Sequence, residues 1–162
     1  MAVSTYVKVK RDGVLTLMDG TGSPNTFDVT YTNGDLKFSD AADDEVVIRN
    51  RGSIVGVRAG DSPVLSGSFS VHFREWTNAA LTLVDVLQGV GSASGWTKVN
   101  YAFEQFNLDV KLVVAKGADG GVTAPTATLS TCIFTWDFSE ADPDSIAVSF
   151  NCYEGIAYLG NT

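Results

Sequence analysis

The chain is predicted to be all-β with one helix, on three observations. Apolar residues recur at every second position, most clearly in Leu65, Gly67, Phe69, Val71 and Phe73 against Ser66, Ser68, Ser70 and His72. The sixteen glycines fall mostly between such runs, where turns need them. One stretch stands apart by carrying apolar residues at three- and four-residue steps, the helical period.

Along the chain, Gly13–Met18 reads as a short buried strand. Asp19–Asn25 is a turn of residues that tolerate left-handed or fixed φ, so a hairpin is expected. Phe27, Val29 and Tyr31 alternate with Thr26, Asp28 and Thr30. Asn33-Gly34 then favours a type I′ turn that returns Leu36 and Phe38 on the partner strand. Ser39–Glu45 is acidic and aperiodic, an exposed loop leading into Val46, Val47 and Ile48. Ile54, Val55 and Val57 predict another strand, closed by a turn ending at Pro63.

After the strand at Leu65–Phe73, Thr77 or Asn78 caps a helix of about three turns. It carries Ala80, Leu81, Val84 and Leu87 and stops at Gly89. Leu108, Val110, Leu112 and Val114 alternate with Asn107, Asp109, Lys111 and Val113, and Lys116–Gly121 makes a bend. In the last third, Cys132, Phe134, Trp136 and Phe138 share one face. Ile146, Val148, Phe150 and Cys152 share a face after a turn at Glu140–Asp144. One register opposes Phe138 to Ile146, Trp136 to Val148, Phe134 to Phe150 and Cys132 to Cys152, and a slip by one residue would wet the whole stripe.

A chain of 162 residues with 44% hydrophobic side chains suits one domain, residues 1–162, with a core that needs no staples. Eleven basic and 19 acidic residues give a net charge of −8. A phosphate backbone is repelled by that balance, which excludes tight nucleic-acid binding. Met1–Arg11 lacks the apolar stretch of a signal peptide and no later run is long enough to span a bilayer, so cytoplasmic residence and no membrane partner are expected. Two cysteines and one histidine are too few for a disulfide scaffold or a zinc site, and neither metal nor cofactor is expected. Cys132 and Cys152 oppose each other in the register above, yet a reducing cytoplasm and core-facing positions favour two buried free thiols.

No catalytic constellation emerges, and the chain is read as a non-enzyme. His72 beside Ser70 projects in parallel from one strand without a nucleophile elbow. Gly89, Gly91 and Gly95 follow a helix instead of opening one, which removes the anion cradle. Asp40, Asp43, Asp44 and Glu45 lack the spacing of a calcium loop.

The segment from Glu45 to Phe73, in which Gly60-Asp61-Ser62-Pro63 leads into Gly67-Ser68-Phe69-Ser70, resembles the middle of bacteriophage tail tube proteins, the major tail proteins. The resemblance in order covers roughly residues 13 to 159. It implies an all-β fold with one flanking helix, a two-sheet β-sandwich or barrel of the tail tube type, and a structural role: hexameric rings, stacked around a channel for genome passage. Implied partners are other copies of the chain and other phage tail proteins, with DNA passing through without specific binding. Implied location is the virion tail, after assembly in the host cytoplasm. Small polar faces suit a wet lumen, which nominates Ser66, Ser68, Ser70, His72, Thr131, Thr135 and Asp137 as lining residues. The mixed-charge stretch from Ser39 to Pro63 resembles the family's protruding loop, which nominates Asp43, Asp44, Glu45, Arg49, Arg51 and Arg58 for inter-subunit contacts. Competing expectations are a secretion-system or contractile-injection tube protein and a carbohydrate-binding β-sandwich using exposed tryptophans.

Overall fold

Period-two segments become strands because one face of each must be buried while its backbone pairs with neighbours. In the computed structural model, which describes residues 13–29, 36–39, 43–72, 77–78, 81–114, 126–140 and 145–159, the first of them are β1 (Gly13–Met18), β2 (Thr26–Val29), β3 (Lys37–Ser39), β4 (Glu45–Asn50), β5 (Ser53–Ala59) and β6 (Leu65–His72). Then come β7 (Thr77–Asn78), β8 (Leu81–Thr82), the helix α1 (Leu83–Gln88), β9 (Leu108–Val114), β10 (Thr126–Ser139), β11 (Ser145–Cys152) and β12 (Ile156–Leu159). An eight-stranded antiparallel sheet runs in the order β2-β1-β9-β10-β11-β6-β3, with β12 also pairing β10. β4 pairs β5 in a separate hairpin.

The long strand β10 serves both halves of this sheet. Leu129 in its first part lies between Val110 of β9 and Ile156 of β12. Its second part, Cys132–Ser139, pairs with β11. Ala127 and Leu129 are buried at odd positions and Cys132 at an even one. A strict alternation would therefore turn one part inside out unless one residue is inserted. Thr131 is that residue: three steps along β10 from Leu129 to Cys132 answer two along β9 from Val110 to Leu108.

Its φ of 55° lies in the left-handed region, which costs a β-branched side chain about 1–3 kcal/mol. Neighbours hold it there. The Thr131 N–H donates to Asp109 Oδ1 (2.9 Å), its hydroxyl donates to Glu154 Oε2 (2.5 Å), and its carbonyl accepts from the Tyr153 N–H (3.3 Å). Burial pushes the Asp109 carboxyl above its ordinary value; the Thr131 N–H works against that rise and the charge of Glu154 adds to it.

Leu15, Leu17, Phe27 and Val29 of one half meet Phe69, Val71, Val148 and Phe150 of the other in a single core, joined by Leu83, Val86 and Leu87 of α1. Phe150 lies so close to β6 that a Cβ on Gly67 would sit 2.2 Å from its ring. That approach explains the glycine within the inward row.

The β1–β2 hairpin forms as expected, and its turn is rigid. Asp19 is buried there and accepts from the Thr21 hydroxyl (2.7 Å), the Asn25 N–H (2.8 Å) and side-chain amide (2.7 Å), and the Thr97 N–H (3.3 Å). Burial alone would raise its carboxyl, but these donors outweigh it and hold Asp19 below its usual range. The β10–β11 register matches all four expected pairs.

Three expectations are corrected. Phe38 returns on β6, opposite Gly67, not beside β2, and packs against the core from there. The helix spans Leu83–Gln88, shorter and later than three turns from Thr77: Thr77 and Asn78 pair with Thr82 and Leu81 as extended chain. Thr82 is the actual cap, accepting from the Asp85 N–H, while Gly89 ends the helix at φ 63° as expected. Cys132 and Cys152 are joined as a disulfide, not free thiols, because the register brings their Cα atoms to 4.1 Å. The expected Asn33-Gly34 turn, Thr30, Tyr31, Asp40, Phe73, Trp76, Ala80, the bend at 116–121 and residues 141–144 of the last turn lie outside the described residues.

Two outcomes follow from this core. Because the Asp109 pKa is raised on folding, its stabilising contribution is full below the unfolded value of 3.8 and is lost as pH rises through the folded value. Asp109→Asn keeps an acceptor for Thr131, so thermal melts should show it more stable than the parent by roughly 2 °C or more at pH 7, with the gain shrinking toward pH 4. Replacing both cysteines by alanine opens a loop of sequence separation 20 and should cost about 2–4 kcal/mol in denaturant titrations; an equal midpoint with and without reductant would contradict it.

Candidate polar face and inter-subunit hairpin

Directly opposed residues in a ladder share a face, so the registers assemble the outer surface of β10-β11-β6-β3 row by row. Thr135, Ser149, Ser68 and Lys37 form one row; Ile133, Asn151, Ser66 and Ser39 form the next. Toward the other end lie Asp137, Ala147 and Ser70, then Ser139, Ser145 and His72. Six of the seven nominated lining residues, Ser66, Ser68, Ser70, His72, Thr135 and Asp137, are thus brought together on one polar face. Near β3 this face dips into a depression of about 390 Å³.

Thr131 is the exception: it is 0% exposed and faces the Asp109–Glu154 network. Parity counted from Thr135 put it on the outer face; the bulge removes it. Sequence reasoning missed Ser145, Ser149 and Asn151 of the intervening strand, and Lys37 and Ser39 of the edge. The first three were legible, since the even-numbered stripe of β11 leaves its odd positions outward. The last two depend on the β3–β6 pairing.

Edges matter as much as the face. Among the described residues, β3 pairs on one side with β6, and β10 from Ile133 to Asp137 pairs on one side with β11. Among the described residues, both margins of the polar four-stranded region therefore present sheet edge without a partner strand.

The second candidate region is the β4–β5 hairpin. Its turn is Arg51-Gly52, with φ of 48° and 86°, the double positive φ of a type I′ turn without the expected asparagine. The Arg49 guanidinium donates to the Gly52 carbonyl (3.4 Å). Among the described strands neither β4 nor β5 pairs with the large sheet. At its base the Asp44 carbonyl accepts from the Gly60 N–H (2.5 Å). Asp43, Asp44, Glu45, Arg49, Arg51 and Arg58, the residues nominated for inter-subunit contacts, are all exposed along it.

What charge reading overlooked is its apolar content. Val46, Val47, Ile48, Ile54, Val55 and Val57 are 40–61% exposed. Val47 opposes Val57 on one face, while Val46 opposes Arg58 and Ile48 opposes Gly56 on the other. Both faces are apolar, which a lone two-stranded hairpin has no means to bury. Among the described residues no group of three or more His, Cys, Asp or Glu is placed to hold a metal ion, and no helix is long and apolar enough to cross a membrane.

No protein-family model and no curated protein matches the chain. Solved structures do. A chain of the anti-feeding prophage baseplate, solved with 6-fold symmetrisation, is 14% identical with a TM-score of 0.60, covering 100% of this chain and 99% of that one. A chain of the anti-feeding prophage tube-terminating cap is 12% identical with a TM-score of 0.64, over 98% and 94% respectively. A chain of the sheath–tube complex of an extracellular contractile injection system is 12% identical with a TM-score of 0.60, over 98% and 99%. At these identities the likeness establishes the fold, a mostly-β fold shared with those chains of the anti-feeding prophage and of an extracellular contractile injection system.

Because the hairpin pairs with no strand of the large sheet, Val47→Ser with Val57→Ser should leave the thermal midpoint of the unassembled chain within the shift expected of about 0.5 kcal/mol. A larger loss, measured by circular dichroism, would place those valines in the core.

Proposed function

We propose that this chain is a structural tube-type subunit of a phage-tail-like particle, closing six-membered rings that stack around a channel. The observation that carries this reading is the β10-β11-β6-β3 region: one face packed on the core, the other polar, and, among the described residues, a margin without a partner strand on either side. Joining β3 of one copy to β10 of the next consumes both margins and leaves no edge once the ring closes. Six copies, the symmetry of one assembly sharing the fold, would supply about 24 strands, and at ~4.8 Å per strand the barrel circumference is about 115 Å before tilt. A bore tens of ångströms wide follows.

In that barrel Ser66, Ser68, Ser70, His72, Thr135 and Asp137 line the lumen with Ser149 and Asn151. Their small size preserves the bore, and Lys37 and Asp137 offset one another, so a passing polymer meets hydroxyls more than charge. The acidic chain as a whole, at −8, disfavours retention of DNA. Near-neutral lining and the contractile-injection likeness favour an injection-particle tube as the second reading over a genome-conducting tail. The hairpin supplies contacts between copies, its valines and isoleucines buried by neighbours and its arginines and carboxylates setting register.

Sedimentation and electron microscopy of the purified protein test this. Rings or tubes are expected, and Val47→Asp with Val57→Asp should abolish them while the monomer keeps its circular dichroism. A strictly monomeric protein across a wide concentration range, with no tubes when other tail components are added, would sink the proposal.

A further inference from the structure

We infer that the tip of the β4–β5 hairpin seats in a cleft on a neighbouring copy of this chain, between α1 and the 94–107 loop; the inference rests on the ring reading above. The cleft holds about 370 Å³ and is lined by Gly89, Trp96, Lys98, Tyr101, Glu104 and Phe106. Its floor is apolar and closely fitted: Trp96 is buried, and the Phe106 ring lies where a Cβ on Gly89 would come within 2.5 Å. Its rim is not covered. Tyr101 is 70% exposed and Glu104 is exposed beside it.

The cleft is pre-formed. The Gly20 N–H donates to the Thr97 carbonyl (3.0 Å), the Thr97 N–H to Asp19 (3.3 Å), and the Asn100 N–H to Asn107 Oδ1 (2.7 Å). Lys98 is committed within it, its ammonium donating to the Phe103 carbonyl (2.6 Å) and lying 5.7 Å from the Tyr101 ring centre. Glu104 is left as the carboxylate at the rim.

The hairpin tip complements this chemistry. Arg51 lies in the turn and Arg49 just before it, and Ile54 and Val55 just after it are 58% and 61% exposed. An apolar side chain over Trp96 and Phe106, with Arg51 against Glu104 and the face of Tyr101, is the usual composition of an interface centre.

Topology puts the two within reach. Leu65, where the chain re-enters the sheet from the hairpin, is level with Cys152, Cys132 and Leu108 through successive registers. When β3 of one copy lies along β10 of the next, its hairpin passes beyond that copy's Cys132, on the side where the 94–107 loop enters β9 at Leu108. Tip and cleft are different surfaces, so the contact is head-to-tail and repeats around a ring or along a tube.

A charge exchange tests the seat. Arg51→Glu and Glu104→Lys should each raise the concentration needed for assembly by about tenfold or more, with unchanged monomer melting, and the double variant should recover most of that loss. In assembled mixtures, Arg51→Cys copies should cross-link to Glu104→Cys copies, and neither should cross-link to itself. Wild-type assembly in both single variants, no recovery in the double variant, or no cross-link in assembled material would overturn the inference. If those negatives accompany loss of assembly in Val47→Asp with Val57→Asp, the ring reading stands and the hairpin seats elsewhere; a wild-type chain that never assembles removes both.

Discussion

One inserted residue in β10 governs what each surface of this molecule can be. A strand alternates its faces without exception, so a strand shared by two halves of a sheet keeps one inward stripe only if the stripe has a single parity. The inward stripe of β10 changes parity between Leu129 and Cys132, and Thr131 absorbs the change. Without it, either Ala127 and Leu129 or Cys132, Phe134 and Trp136 would leave the core. The left-handed backbone at Thr131 is held by Asp109, Glu154 and Tyr153, which places two carboxylates around one hydroxyl and amide. Burial there displaces the Asp109 carboxyl upward, and the charge of Glu154 adds to the rise against the pull of the Thr131 N–H.

The same device separates packing from presentation. Inward, Cys132 is bonded to Cys152 and Phe134 packs 5.8 Å from Phe150, ring centre to ring centre. Outward, Thr135, Asp137 and Ser139 continue the hydroxyl rows of β11 and β6. Chains only 12–14% identical to this one share the fold because it depends on pattern and parity, and many residues satisfy both. Exposed apolar surface is concentrated on the two-faced β4–β5 hairpin, at 40–61%. Contiguous apolar surface of that kind marks a site of interaction more often than a face meant for water.

Local pattern was enough wherever neighbours in sequence are neighbours in space. The β1–β2 hairpin, the four pairs from Phe138–Ile146 to Cys132–Cys152, the stop at Gly89 and the exposure of the charged hairpin were all legible, since turn chemistry and period two act within a few residues. Lys37 and Ser39 were not legible as part of the polar face, because their place depends on β3 crossing to β6. The helix was misjudged at its start, because Leu81 satisfies the three- and four-residue spacing with Val84 yet pairs with Asn78 as extended chain. The valines and isoleucines of the hairpin were read as strand formers, and nothing local says that no sheet will cover them.

By itself, then, the sequence determined the class of the fold, the faces of most strands and the register of the last hairpin, since side-chain periodicity is a property of the backbone that needs no distant partner. Tertiary structure decided which strands adjoin, that Thr131 turns inward to mend the parity of β10, that two cysteines meet closely enough to bond, and that the polar stripes of β6 and β10 join across β11 into one face. Those outcomes rest on contacts between residues far apart along the chain, and the core, which is filled by all of them at once, selects among arrangements that local pattern leaves equal.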